Sequence, residues 1–424
     1  MSISTNRRKF LKAAGAFAAA STLPYPAFSQ AKPKVVVIGG GPGGATAAKY
    51  IAKDSAGAIE VTLVEPAREF ITCFHSNLYL GDIRSWQSIT HSYDALTKYG
   101  LKIAHEAATA IDKDKKTVAL ASGTTLSYDR LVIAPGIDIK FDSVPGYSEA
   151  VSEIMPHAWK AGPQTQLLKK QFDALQDGSL IVMIAPPNPY RCPPGPYERV
   201  SMMAHMLKAK GHKTSRIVVL DPKDSFSKQG LFVEGWQKHY PGVVEWQDPK
   251  MHGGVKSVDA KTLTVTTDLA DYKAQLVNVI PAQMAGKIAR DAGLANQTGF
   301  CPINPENMKS TMDANIYVVG DACIPGDMPK SAFSANSQAK IAALMVRGEL
   351  QSAATFPARY TNTCWSMIET DDAVKVGGRY EPKDGKIAAV ETFISKTGET
   401  AELRKQTQQE NMGWYAGITA DIFA

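Results

Sequence analysis

Along the chain, short and nearly unbroken aliphatic runs alternate with glycine- or proline-rich turns and with longer alanine-rich stretches. Val35-Val36-Val37-Ile38 leaves no polar position for solvent, so it reads as a buried strand. It runs into Gly39-Gly40-Gly41-Pro42-Gly43-Gly44 and then a helix over 45 to about 53, and Val61-Thr62-Leu63-Val64 follows as a second strand. Residues 128–136 and 315–322 are further apolar strands that end in turns, and 330 to about 347 reads as a helix. Between them, 179–184 and 216–221 open another strand–helix–strand unit. From about Thr355 the texture changes to short strand-like runs, 373–376 and 387–393, separated by Gly378 and the Lys383-Asp384-Gly385 turn signal.

The first turn carries chemistry. Gly39 allows a tight bend, Gly41 lets the backbone approach a pyrophosphate, and Gly44 lets helix and strand pack closely. The helix that follows aims unpaired N–H groups and the positive end of its dipole at the phosphates. Glu65, 21 residues after Gly44, ends the next strand where an adenosine ribose would present its hydroxyls. Strand, turn, helix, strand and acid in this order point to FAD. Asp321 stands where a carboxylate can bond a flavin's ribityl chain. The helix after it, with Lys330 if that side chain reaches, would stabilise a reduced flavin's negative charge. At the corresponding turn of the second unit, residues 185–196 hold six prolines and a single glycine. Proline lacks an N–H and fixes φ, so no phosphate nest forms there, and NAD(P)H is not the expected electron donor.

The fold expected is therefore α/β: two Rossmann-like dinucleotide-binding domains plus a small α+β C-terminal interface domain. Residues 32–148 and 287–354 form the discontinuous FAD-binding domain, 149–286 the second Rossmann-like domain, and 355–424 the C-terminal one. Residues 1–31 stand apart. Arg7-Arg8-Lys9-Phe10-Leu11-Lys12 and the apolar stretch after it read as a twin-arginine export signal cut after Ala27 or Ala31, with an uncleaved amphipathic anchor as the alternative. The formal charge of +6 loses four basic residues with that signal, leaving 43 basic against 41 acidic ones. No polybasic cluster remains to favour nucleic acid or anionic lipid, and no segment suits stable membrane insertion. A twin-arginine route carries folded proteins, which suits a cofactor acquired before export to an oxidising periplasm.

Five cysteines, Cys73, Cys192, Cys301, Cys323 and Cys364, include no pair with metal-ligand spacing, so no metal is expected. On residue types alone, Cys192 and Cys364 are free to form a plain stabilising bridge, Cys73 to be a small buried hydrophobe, and Glu198 a solvated loop carboxylate. The chain resembles the flavoprotein subunit of flavocytochrome c sulfide dehydrogenase, related to sulfide:quinone oxidoreductases and more distantly to glutathione reductase. The resemblance rests on the Gly39 to Gly44 turn, Glu65-Pro66, Phe70-Ile71-Thr72-Cys73, the proline-flanked 189–199 segment, 317–322 and Trp414-Tyr415. It implies a thioether from Cys73 to the flavin ring, a redox-active Cys192–Cys364 disulfide beside it, and Glu198 as the active-site carboxylate. Cys301 and Cys323 receive no role.

Hydrosulfide can attack a strained or exposed disulfide, which leaves a persulfide and a thiolate. The resemblance thus implies periplasmic oxidation of sulfide to sulfur or polysulfide. This chain has no C-x-x-C-H haem motif, so a separate c-type cytochrome subunit would take the electrons. Two alternatives stand beside this reading: a sulfide:quinone oxidoreductase at the membrane surface, and a non-catalytic flavin-bearing module that binds sulfur.

Overall fold

The computed structural model describes residues 31–424, so the export signal and the anchor alternative, apart from Ala31, fall outside the described residues. Strand β1 (Lys34–Ile38) is buried over its last four residues and turns through the glycines into helix α1 (Pro42–Asp54). Strand β2 (Glu60–Val64), the short helix α2 (Ser76–Leu80), β3 (Lys102–Ala104) and β4 (Arg130–Ile133) follow. The chain then builds β5 (Leu180–Ile184), α3 (Gly195–Ala209), β6 (Arg216–Leu220), α4 (Gln229–His239), β7 (Val244–Gln247) and β8 (Leu276–Val279). It returns as β9 (Ile316–Val318) and α5 (Ala332–Gln351), and ends with β10 (Tyr360–Glu369), β11 (Asp372–Lys383), β12 (Lys386–Ile394) and α6 (Ala401–Phe423).

The first sheet has the order β9-β4-β1-β2-β3 and the second β7-β6-β5-β8, each parallel throughout. Parallel strands are covered by helices on both faces, which is why their sequences are apolar without alternation. In the first sheet β1 pairs β2 on one side and β4 on the other, so the strand order reverses there. A crevice opens beyond the carboxyl ends of strands at such a switch point. Gly39, Glu65, Ala134 and Gly320 all follow strand ends at this edge.

The third sheet, β10-β11-β12, is antiparallel, and its strands are longer than the runs visible in the sequence. Strand β10 packs against α3, α4 and α5, so it enters the groove between the two parallel-sheet units. Its inward residues Asn362, Cys364 and Ser366 alternate with the less buried Thr363 and Trp365. The polar 399–411 stretch and the short apolar end after it form one helix, α6, whose contacts with β11, β10 and α1 fix it across the molecule.

Candidate functional site

The glycine turn is shaped by sterics. Gly39 sits at φ +98°, and a Cβ on Gly44 would collide with the carbonyl oxygen of Gly39. Gly41 differs, because a Cβ there would meet nothing nearer than the Phe70 ring at 3.5 Å. It faces an open cleft lined by Gly39, Gly40, Glu65, Cys73, Arg191 and Asp321. Glu65 also braces the turn: one carboxylate oxygen accepts the Gly40 N–H at 2.7 Å and the other the Ala67 N–H at 2.9 Å. Asp321 lies with Oδ2 3.5 Å from Arg191 while its buried Oδ1 has no partner among the described residues. An orphaned buried acceptor needs a donor, and a ribityl hydroxyl would supply one. The residues present therefore fit a flavin dinucleotide.

Lys330 departs from expectation. Its ammonium donates to the carbonyl oxygens of Asp321, at 2.8 Å, and Cys323, and lies 4.1 Å over the Phe300 ring. It lines neither this cleft nor the next cavity, because two carbonyls at a tight turn satisfy it locally. The helix N-terminus remains in place without it: Ser331 caps α5, its Oγ accepting the Ser334 N–H at 3.0 Å, and Ser331 and Ala332 line the cleft.

A second cavity is lined by Cys73, Cys192, Cys364, Glu198, Arg199 and Trp159, with Asn77, His75 and Trp414 further round its wall. Four residues, Cys73, Arg191, Ser331 and Ala332, line both spaces, so Cys73 stands at the doorway between them. Cys192 is held at φ +58°, a strained conformation for a residue with a Cβ. Its N–H donates to the Lys330 carbonyl at 2.8 Å, and its own carbonyl accepts the Gly195 N–H at 2.8 Å, which starts α3. All five cysteines are thiols, so the expected Cys192–Cys364 bond is not formed here. Asn362 donates to the Cys364 sulfur at 3.4 Å. Burial pushes all three thiols of the cavity upward.

Glu198 is not a solvated loop carboxylate. It lies in the first turn of α3, 7% exposed, where the helix dipole favours an acid. Asn77 donates to one oxygen at 2.9 Å and the Met367 N–H to the other at 3.0 Å. Burial raises its pKa against those donors and the nearby Lys228 and Arg199. Arg199, 1% exposed, is held by Asn77, the His157 and Ala158 carbonyls and Asn278, so its charge is fixed in place. Arg191 and Lys228 carry no role in the sequence reading, although Arg191 lines the cavity and Lys228 donates to the Cys364 carbonyl.

Family comparison decides between the relatives of such a scaffold. Residues 165–281 match the central domain of the sulfide dehydrogenase (flavocytochrome c) flavoprotein chain, and residues 356–423 match the flavin-binding domain of flavocytochrome c sulphide dehydrogenase. The chain belongs to this flavoprotein family. Residues 33–171 match the pyridine nucleotide-disulphide oxidoreductase model as well. A flavoprotein chain of flavocytochrome c sulfide dehydrogenase from Chlorobaculum thiosulfatiphilum is 57% identical over 44 residues, 10% of this chain and 90% of that sequence. The mitochondrial sulfide:quinone oxidoreductase of Dictyostelium discoideum is 21% identical over 73% of this chain and 69% of its own length. Among solved structures, the sulfide:quinone oxidoreductase of Aquifex aeolicus superposes with a TM-score of 0.71 at 17% identity, covering 92% of this chain and 91% of that one. That likeness establishes the α/β flavoprotein-reductase fold.

Proposed function

We propose that this chain is the flavoprotein subunit of a periplasmic sulfide dehydrogenase, oxidising sulfide to sulfur or polysulfide and delivering electrons to a c-type cytochrome subunit. The observation that carries the reading is the doorway: Cys73 faces both the dinucleotide cleft and the cavity that holds Cys192, Cys364 and Glu198. In the oxidised enzyme Cys192 and Cys364 form a disulfide. Hydrosulfide attacks one of its sulfurs, a new S–S bond forms, the old one breaks, and a cysteine persulfide and a thiolate result. Glu198, held nearly out of water, takes up and returns the proton at this sulfur. FAD in the cleft, joined to Cys73 by a thioether, would accept two electrons from the sulfur pair and release them singly. Asp321 and the α5 N-terminus would bind it, and Glu65 and the Gly39 to Gly44 turn would hold its adenosine and pyrophosphate.

The exposed apolar residues Val390, Phe393 and Ile394 on the edge strand β12 give a cytochrome subunit a surface to dock on. No described helix is long and apolar enough to cross a membrane. The sulfide:quinone relatives keep a quinone acceptor as the second reading.

Anaerobic addition of sulfide, with the flavin spectrum recorded, tests the proposal. Bleaching followed by reduction of an added c-type cytochrome is the expected result. Bleaching with transfer only to a soluble quinone favours the second reading, and an unbleached flavin removes both. For the thioether, acid precipitation should leave flavin on the wild-type protein and release it from Cys73→Ser.

A further inference from the structure

Lys228 stands just before α4 at φ +64°, and only 5% of it is exposed. Its ammonium donates to the Cys364 carbonyl at 3.1 Å and to Ser366 Oγ at 2.8 Å. Both acceptors belong to β10, the strand that brings Cys364 into the cavity. Met367, one residue further, donates its N–H to Glu198 at 3.0 Å, so β10 is fastened by Lys228 and Glu198 within four residues. Among the described residues no carboxylate forms an ion pair with Lys228. A buried ammonium without a counter-ion is costly. Burial accordingly lowers its pKa to about 8, while Cys364, Glu198 and Cys192 hold it up.

We propose that Lys228 is the positioning residue whose charge compensates the thiolate of the reduced Cys192–Cys364 pair, acting chiefly at Cys364. When hydrosulfide opens the disulfide, negative charge appears on a sulfur that water cannot reach freely. The ammonium fastened to the backbone of Cys364 is a fixed positive charge there and needs no rearrangement when that charge develops. Other groups also face the pair. Arg191 and Arg199 lie on the Cys192 side, Cys73 lies at the doorway, and Glu198 opposes a thiolate. Asn362 donates to the Cys364 sulfur at 3.4 Å, Ser331 in turn donates to Asn362 Oδ1 at 2.6 Å, and Lys228 is the cation fastened to the Cys364 backbone.

The assignment deepens the sulfide reading and rests on it for its catalytic meaning, but its test needs no sulfide. The FAD-loaded enzyme is reduced with dithiothreitol and the dithiothreitol is removed. The rate at which iodoacetamide alkylates Cys364 is then followed against pH by peptide mass spectrometry. Lys228→Met should raise the apparent pKa of Cys364 by about one unit or more, which is at least about tenfold slower alkylation at pH 8. Lys228→Arg should restore most of the rate. An unchanged profile in Lys228→Met overturns the proposal, as does equal loss in the Met and Arg variants, because a purely structural role would ignore charge. If Lys228→Met does not fold, Ser366→Ala decides, since it keeps the charge and removes one anchor. Alkylation slowed by roughly two- to fivefold supports the placement, and an unchanged rate overturns it. Failure of the sulfide reading shows separately, as a flavin that anaerobic sulfide does not bleach.

Discussion

Glu198 is a carboxyl kept from water, and its raised pKa has a thermodynamic sign. Between its unfolded value and the higher folded one, the native state binds more protons, so stability falls as pH rises through that window. Glu198→Gln should remove this slope, worth about 1.4 kcal/mol for each pH unit of the window, in urea melts at pH 4 to 8. It should also lower sulfide turnover by on the order of a hundredfold. His75 has the opposite sign. Burial lowers its pKa to about 3, and its ring stacks on Tyr415 with centroids 4.3 Å apart while Nε2 meets Asn411 at 2.9 Å. The unfolded chain binds the extra proton from pH 6.5 down to about 3, so stability is lost as pH falls. In His75→Gln that acid slope should flatten by up to about 1.4 kcal/mol per pH unit, whatever its stability at neutral pH. The sequence made some of this visible and not the rest. Asp321 is legible because its place follows from a strand end and a glycine. Lys330 is adjacent in sequence to the right helix, but a long side chain goes to the nearest acceptors, and these are carbonyls. Lys228 has no local signature at all, since its partners Cys364 and Ser366 lie 136 and 138 residues away.

At the scale of elements, the first turn separates two jobs that a motif string merges. Gly44 is required by protein packing, whereas Gly41 is open toward the cleft. Gly44→Ala should therefore unfold or strongly destabilise the apo-protein, by several kcal/mol. Gly41→Ala should melt within about 1 kcal/mol of wild type without FAD and lose FAD affinity by at least about tenfold. Equal thermal shifts of the two apo-variants would refute the division. The parallel strands were readable because burial on both faces writes itself as unbroken apolar runs. The β11 strand is legible only over 373–376, since the rest pairs two buried glycines and a buried tyrosine with exposed Arg379, Glu381 and Lys383 and carries little apolar signal. Helix α6 carries no single apolar stripe, because its first half is polar and its second half apolar. It lies across several elements instead of on one core.

For the whole molecule, α6 is a clasp. Asp421 accepts from Tyr50 at 2.6 Å and from Asn336 at 2.8 Å, and pairs with Lys340 at 2.8 Å, which ties the chain's last helix to α1 and α5. Lys49 adds bonds to the Ala420 and Asp421 carbonyls. Asp421→Ala should cost about 1 to 3 kcal/mol, read as a lower thermal midpoint of the FAD-loaded protein, with the sulfur-pair chemistry intact. The same long-range view applies to the two spaces that meet at Cys73, Arg191, Ser331 and Ala332. On the proposed reading, nucleotide and sulfur each have their own chamber, and among the described residues these four form the partition between the two. The cofactor can thus stay in residence for the life of the protein while substrate comes and goes on the other side. Selection can reshape the sulfur chamber for a different sulfur compound without disturbing how the nucleotide is kept.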